Sequence, residues 1–140
     1  MTSFAIILAA VGLYIAAYFV AVYYGVLEAS TRLMPRVCRL EERTCQTVLH
    51  TPYARVFGVP NSVPGVLYYV AVIVLLATGW GVGAIGVTLV AVAWFTVLLG
   101  FFLAYSLLFI IRIPCPLCLT AHTINLALAL LLTLIVRAAS

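Results

Sequence analysis

Residues 63–111 decide the fold class: they read VPGVLYYVAVIVLLATGW, then GVG, then AIGVTLVAVAWFTVLLGFFLAYSLLFII. No charged residue interrupts them, and each apolar run approaches or exceeds the roughly 20 residues that cross a hydrocarbon core of about 30 Å. The glycine-rich turn from Gly79 to Gly83 is too short to be anything but a hairpin connection. The stretch therefore predicts two membrane helices, over residues 63–80 and 84–111.

Two further apolar runs, residues 4–27 and 116–136, are long enough to cross a membrane. The first is predicted to be a retained helix and not a signal peptide, because its leader MTS has no basic residue and its apolar run exceeds the usual h-region. We therefore predict an all-α, polytopic membrane protein. It would be a bundle of four transmembrane helices in a single integral-membrane domain over residues 1–140.

The composition agrees with a lipid bilayer as the surroundings of this chain. Hydrophobic residues make up 67%, charged residues only 7%, and the mean hydropathy is +1.31, far from the values of soluble domains. The net charge of +4 comes from seven arginines and three glutamates, with no lysine. The distribution of these few charged residues is informative about the orientation of the protein in the membrane. They are too few to support nucleic-acid binding.

The loop over residues 28–61 is the one extended polar region. It holds all three acids, five of the seven arginines, His50 and two of the four cysteines. An even number of helices puts both termini on one face of the membrane. This loop and the junction over residues 112–115 then lie on the other face, so that all four cysteines share one side.

Cys115 and Cys118 form a Cys-Pro-Leu-Cys motif at the predicted start of the fourth helix. The unpaired N–H groups and positive dipole end of a helix start stabilise a thiolate, and a spacing of three residues brings both sulfurs within disulfide reach. The motif favours a redox pair. The alternative is half of a zinc site, or two inert thiols.

Cys38 and Cys45 lie seven residues apart in the polar loop. In one continuous helix they would stand about 10.5 Å apart, beyond the roughly 7 Å limit for a disulfide, so a redox pair requires a break between them. Considered without the other two cysteines, Cys38 and Cys45 could equally form a structural disulfide. With Cys115 and Cys118 they could instead complete a tetrahedral zinc site in a non-enzymatic membrane protein, although the first pair lacks the short spacing usual in such sites.

The order of these elements resembles the vitamin K epoxide reductase family. The resemblance rests on the loop cysteine pair, on CQTVLHTPYARVFGVP over residues 45–60, on NSVPGVLYY over residues 61–69, and on CPLCLTAHTIN over residues 115–125. It implies a prokaryotic-type homologue with a four-helix core and no fused thioredoxin-like domain.

The resemblance also implies a function: a quinone-dependent thiol oxidase that makes protein disulfides. By position, Cys118 is the cysteine nearest the quinone, Cys115 exchanges disulfides with Cys45, and Cys38 faces a thioredoxin-like redox partner. Thiol–disulfide exchange relays electrons in this way without a metal.

His122 and Asn125 continue the face of the fourth helix that carries the two thiols, at steps of three, four and three residues. A polar side chain at this depth is either functional or bonded to another helix. For Asn125 the helix–helix hydrogen bond is favoured; for His122 both readings stay open. Because the family commonly carries a tyrosine at the position of His122, a menaquinone- or ubiquinone-like acceptor is expected in place of vitamin K epoxide.

Two more residues match the family pattern. Asn61 corresponds to an asparagine that contacts the quinone, and its amide can donate to a carbonyl oxygen; the alternative is a helix N-cap. Thr51 takes the place of a loop serine or threonine linked to the active site, and a turn-forming threonine before Pro52 is the alternative.

Arginine counts predict the orientation in the cell membrane. The cysteine face carries six arginines and the opposite face one: Arg32, Arg36, Arg39, Arg43, Arg55 and Arg112 against Arg137. The positive-inside rule therefore places the cysteine face in the cytoplasm, the inverse of the outward-facing arrangement usual in the family.

Overall fold

A computed structural model describes residues 1–23, 55–56, 59–60, 62–110 and 116–139 of the chain. Its helices are α1 (Thr2–Tyr23), α2 (Ser62–Ala77), α3 (Gly83–Tyr105) and α4 (Pro116–Ala139). A π-helical turn, Ser106–Ile110, continues α3. Two strands of two residues each, β1 (Arg55–Val56) and β2 (Val59–Pro60), pair antiparallel just before α2. The predicted all-α helical bundle is confirmed.

Three of the helices are long and apolar enough to cross a membrane. The candidate spans are Thr2–Ala21, Gly83–Tyr105 and Cys118–Ala139. The fourth apolar helix, α2, has 16 residues and rises about 24 Å at 1.5 Å per residue, somewhat less than the thickness of a hydrocarbon core. The chain is a multi-pass membrane protein.

Glycine conformation sets the end of α2. The helix stops at Ala77, three residues earlier than the apolar run predicts, because Gly79 takes a left-handed conformation with φ of 76°. The N–H of Gly81 then donates to the Leu75 carbonyl at 3.0 Å. Gly83 is also left-handed, with φ of 63°, and α3 begins there.

Small residues allow α1 to lie close to its neighbours. Ala5, Ala9, Gly12 and Ala16 follow one face of α1 at steps of four, three and four residues, and all four are buried. Such residues let helix backbones approach closely in a membrane, where packing drives association. α1 packs against both α2 and α4.

The bundle is open on one side. The most extensive contacts join α3 to α4 and α1 to α2, followed by α1 to α4, whereas α2 and α3 make few close contacts despite being consecutive. A groove of about 360 Å³ runs between α2 and α3. Eight residues line it, and of these only Tyr68 and Thr88 are polar.

Candidate functional site

The first turns of α4 carry the chemistry-bearing side chains of the described residues. α4 begins at Pro116, so Cys118 lies in its first turn, where the helix N–H groups have no intrahelical partner. Cys118 is partly buried and packs against the hydrophobic core. His122 follows one turn deeper on the same face.

The His122 imidazole lies against α3 at Gly100. A methyl group added at Gly100 would stand 3.0 Å from His122 Nδ1, so the glycine leaves the room that the imidazole occupies. His122 Nδ1 is buried and has no hydrogen-bond partner among the described residues. Within that part of the chain, this nitrogen makes no hydrogen bond to another helix.

Asn125 is occupied by a hydrogen bond to another helix. The Tyr69 hydroxyl of α2 donates to Asn125 Oδ1 at 2.5 Å. Tyr69 is 3% exposed, and its ring lies so close to α1 that a Cβ on Gly12 would come within 2.5 Å of it. The structure therefore shows the interhelical bond that the sequence favoured for Asn125.

Depth along the helices orders these residues. α2 and α4 both start at the cysteine face; Tyr69 lies seven residues after Ser62, and Asn125 seven after Cys118. At 1.5 Å per residue, the Tyr69–Asn125 pair is about 10.5 Å deeper than Ser62 and Cys118. We call the interhelical layer between Cys118 and this pair the polar layer; His122 belongs to it.

Three buried polar atoms of the described residues lack hydrogen-bond partners: Ser62 Oγ, Tyr68 Oη and His122 Nδ1. All three belong to the first turns of α2 or α4, between the cysteine face and the depth of Asn125. A buried polar group without a partner costs about 1–3 kcal/mol. These buried donors lie within the first two turns of α2 and α4, which makes this end of the bundle a candidate ligand site.

Tyr68 is a candidate site residue that the sequence analysis did not identify. Its signal is weak, because Tyr68 and Tyr69 are adjacent tyrosines in an apolar helix, and the sequence alone does not tell which hydroxyl is bonded. The structure separates them: Tyr69 bonds Asn125, and Tyr68 does not meet hydrogen-bond geometry with any described residue.

Cys118 and His122 are the predicted site residues within the described part of the chain, and they share one face of α4. The others lie outside the described residues: Cys38, Cys45, Thr51, Asn61 and Cys115. Asn61 falls in the single-residue gap between β2 and α2.

Comparison with known proteins adds one finding. A family model described as the vitamin K epoxide reductase family matches residues 3–133, nearly the whole chain. No curated protein matches the chain.

Proposed function

The chain belongs to the vitamin K epoxide reductase family, an oxidoreductase family of quinone-linked thiol chemistry, and on this premise we propose that it is a quinone-dependent thiol oxidase that makes protein disulfides. The electron donor is a thioredoxin-like redox protein. The acceptor is a menaquinone- or ubiquinone-like molecule of the membrane. The direction, from thiols to quinone, is part of the proposal.

The proposed relay consists of two thiol–disulfide exchanges. The partner dithiol is oxidised to a disulfide while the Cys38–Cys45 disulfide is reduced. Cys45 then attacks the Cys115–Cys118 disulfide at Cys115; the Cys38–Cys45 disulfide forms again, and Cys115 and Cys118 become thiols. Each exchange moves two electrons and two protons, and the thiolate is the attacking form.

A bound quinone supplies the final acceptor, since it takes up two electrons and two protons. The residues of the polar layer fit such a molecule. Quinone oxygens only accept hydrogen bonds, and the unpartnered atoms in this layer belong to side chains that can donate one: the Ser62 and Tyr68 hydroxyls and the His122 imidazole.

Within this proposal, Cys118 is the thiol next to the quinone and His122 donates to one of its oxygens. Asn61 and Thr51 are the further quinone-binding residues that the family pattern proposes. The observation that carries the proposal is the unpartnered His122 Nδ1 one turn below Cys118, on the face of α4 that the family uses.

Cysteine variants with two electron donors test the relay. Replacing Cys115 and Cys118 together by Ala is expected to abolish quinone reduction by any dithiol, because in the proposed relay this pair alone passes electrons to the quinone. Cys38→Ala is the matched variant: it should retain quinone reduction by a small dithiol, which reaches Cys115–Cys118 directly, and lose reduction by a thioredoxin-like protein.

Two results would contradict the proposal. One is quinone reduction by the protein that lacks Cys115 and Cys118. The other is a stoichiometric zinc ion in the purified protein together with no quinone reduction, which would favour the metal-binding alternative with four thiolate ligands.

A further inference from the structure

Tyr68 has a buried hydroxyl with an unused donor. The residue is 8% exposed, and its hydroxyl has no hydrogen-bond partner among the described residues. The Thr96 hydroxyl of α3 is near enough to interact with it, but the pair does not reach hydrogen-bond geometry. Thr96 donates its own hydrogen to the Ala93 carbonyl at 2.7 Å, so it cannot donate to the Tyr68 oxygen. The Tyr68 hydroxyl is shielded from water and has no acceptor in hydrogen-bond geometry among the described residues, so its O–H can donate to a ligand.

The neighbouring tyrosine shows that this arrangement is particular to Tyr68. Tyr69 is buried to a similar degree, yet its hydroxyl is bonded to Asn125. The two rings are 5.3 Å apart, so both lie in the same packed surroundings. If Tyr68 only filled space in the core, its buried, unpaired hydroxyl would lower the stability of the protein, and Phe at the same position would avoid this cost.

The position of Tyr68 relative to His122 suits a ligand with two separated oxygens. On α3, Thr96 and Gly100 lie on one face, four residues and about 6 Å apart. Tyr68 meets α3 at Thr96, whereas His122 meets it at Gly100, which is nearer the cysteine face. Counted from the Tyr69–Asn125 hydrogen bond, Tyr68 is one residue and His122 three residues nearer the cysteine face. The two donors therefore lie on different helices and at different depths, as a ligand with two separated oxygens requires.

Tyr68 also connects the polar layer with the lipid. It lines the apolar groove on the open side of the bundle, between α2 and α3. A ligand that bonds Tyr68 therefore has an apolar body and an acceptor oxygen, which describes a membrane quinone.

We propose that Tyr68 is a second quinone-binding residue, whose hydroxyl donates to the ring oxygen farther from Cys118 while His122 serves the nearer one. This inference rests on the proposed function. It adds a hydrogen-bond donor to the proposed quinone site: Tyr68 lies on α2, seven residues after Asn61 in the sequence.

Tyr68→Phe tests the proposal, with Tyr105→Phe as the matched control because Tyr105 is 57% exposed. Each purified protein is titrated with a 1,4-naphthoquinone, and the binding constant, the quinone-induced rise in Tm and the quinone KM with a small dithiol are measured. Tyr68→Phe is expected to weaken binding and raise KM roughly 5- to 10-fold and to reduce the Tm rise. Its Tm without quinone should equal or exceed that of the wild type, and Tyr105→Phe should match the wild type throughout.

Two outcomes would overturn the inference. Unchanged quinone binding in a folded Tyr68→Phe protein would show that the Tyr68 hydroxyl donates no hydrogen bond to the quinone. A lower Tm without quinone would show that the hydroxyl has a structural partner instead. If the wild type itself reduces no quinone, the proposed function fails first, so the two failures are distinguishable.

Discussion

His122 is the residue at which this chain departs from the tyrosine common in its family, and its surroundings make its role testable. The imidazole is confined between α4 and the backbone of α3 at Gly100. We expect His122→Ala to raise the quinone KM roughly 2- to 13-fold, which corresponds to a hydrogen bond of about 0.5–1.5 kcal/mol. The rate of thiol–disulfide exchange with Cys115–Cys118 should hardly change. Unchanged quinone kinetics in a well-folded variant would assign His122 to packing.

Gly100 is expected to act on the quinone through His122. Gly100→Ala places a methyl group 3.0 Å from Nδ1, tighter than ordinary van der Waals contact, so the imidazole must move. The variant should raise the quinone KM in the wild-type background and have no further effect when combined with His122→Ala. Full additivity in this double-mutant cycle would contradict the positioning role.

Gly65→Ala is the matched control for the Gly100 cycle. The added methyl group would meet only Ala16 Cβ, at 3.7 Å, which is an ordinary contact. The quinone KM of this variant should equal that of the wild type.

At the scale of helices, the hydrogen bond between Tyr69 and Asn125 joins α2 to α4, and Gly12 of α1 accommodates the Tyr69 ring. Three of the four helices therefore meet at one depth. A second interhelical bond, from Trp94 Nε1 to Thr133 Oγ1 at 3.1 Å, joins α3 to α4. Such bonds contribute modestly in a membrane, so close packing around them carries much of the stability.

Gly12→Ala tests this junction. The new Cβ would lie 2.5 Å from two atoms of the Tyr69 ring, and the ring cannot swing away without breaking its bond to Asn125. We expect the free energy of unfolding to fall by about 1–3 kcal/mol, measured by thermal or denaturant unfolding in detergent. Gly65→Ala should leave the stability nearly unchanged. Equal stability of the two alanine variants would show that α1 and α2 can separate freely at this depth.

At the scale of the whole molecule, the orientation in the membrane remains a prediction from the sequence. Six arginines on the cysteine face against Arg137 on the other place the cysteines in the cytoplasm by the positive-inside rule. The chemical consequence is that the substrates would be cytoplasmic proteins, in a compartment where disulfides are uncommon outside hyperthermophiles.

Tags at either terminus measure the orientation. In the inverted arrangement both termini are outside, so a membrane-impermeant reagent should label them in intact cells. Termini that stay protected until the cells are lysed would restore the outward-facing arrangement usual in the family.

The sequence by itself determined the class of this protein and one face of its site. Apolar length alone decides whether a helix can cross a bilayer, and a period of 3.6 residues alone puts Cys118, His122 and Asn125 on one face of α4. The sequence was less informative about the end of α2, because the backbone conformation of Gly79 sets that boundary.

Only the tertiary structure decided which polar groups of the site are already bonded. Tyr68 and Tyr69 look alike in the sequence, and what distinguishes them is Asn125, 56 residues away from Tyr69 along the chain. Likewise, Gly12 and Gly100 are important because the Tyr69 ring of α2 and the His122 ring of α4 pack against them. These relations depend on how helices pack, and in a membrane packing is set by the fit of side chains from distant segments, which no local pattern encodes.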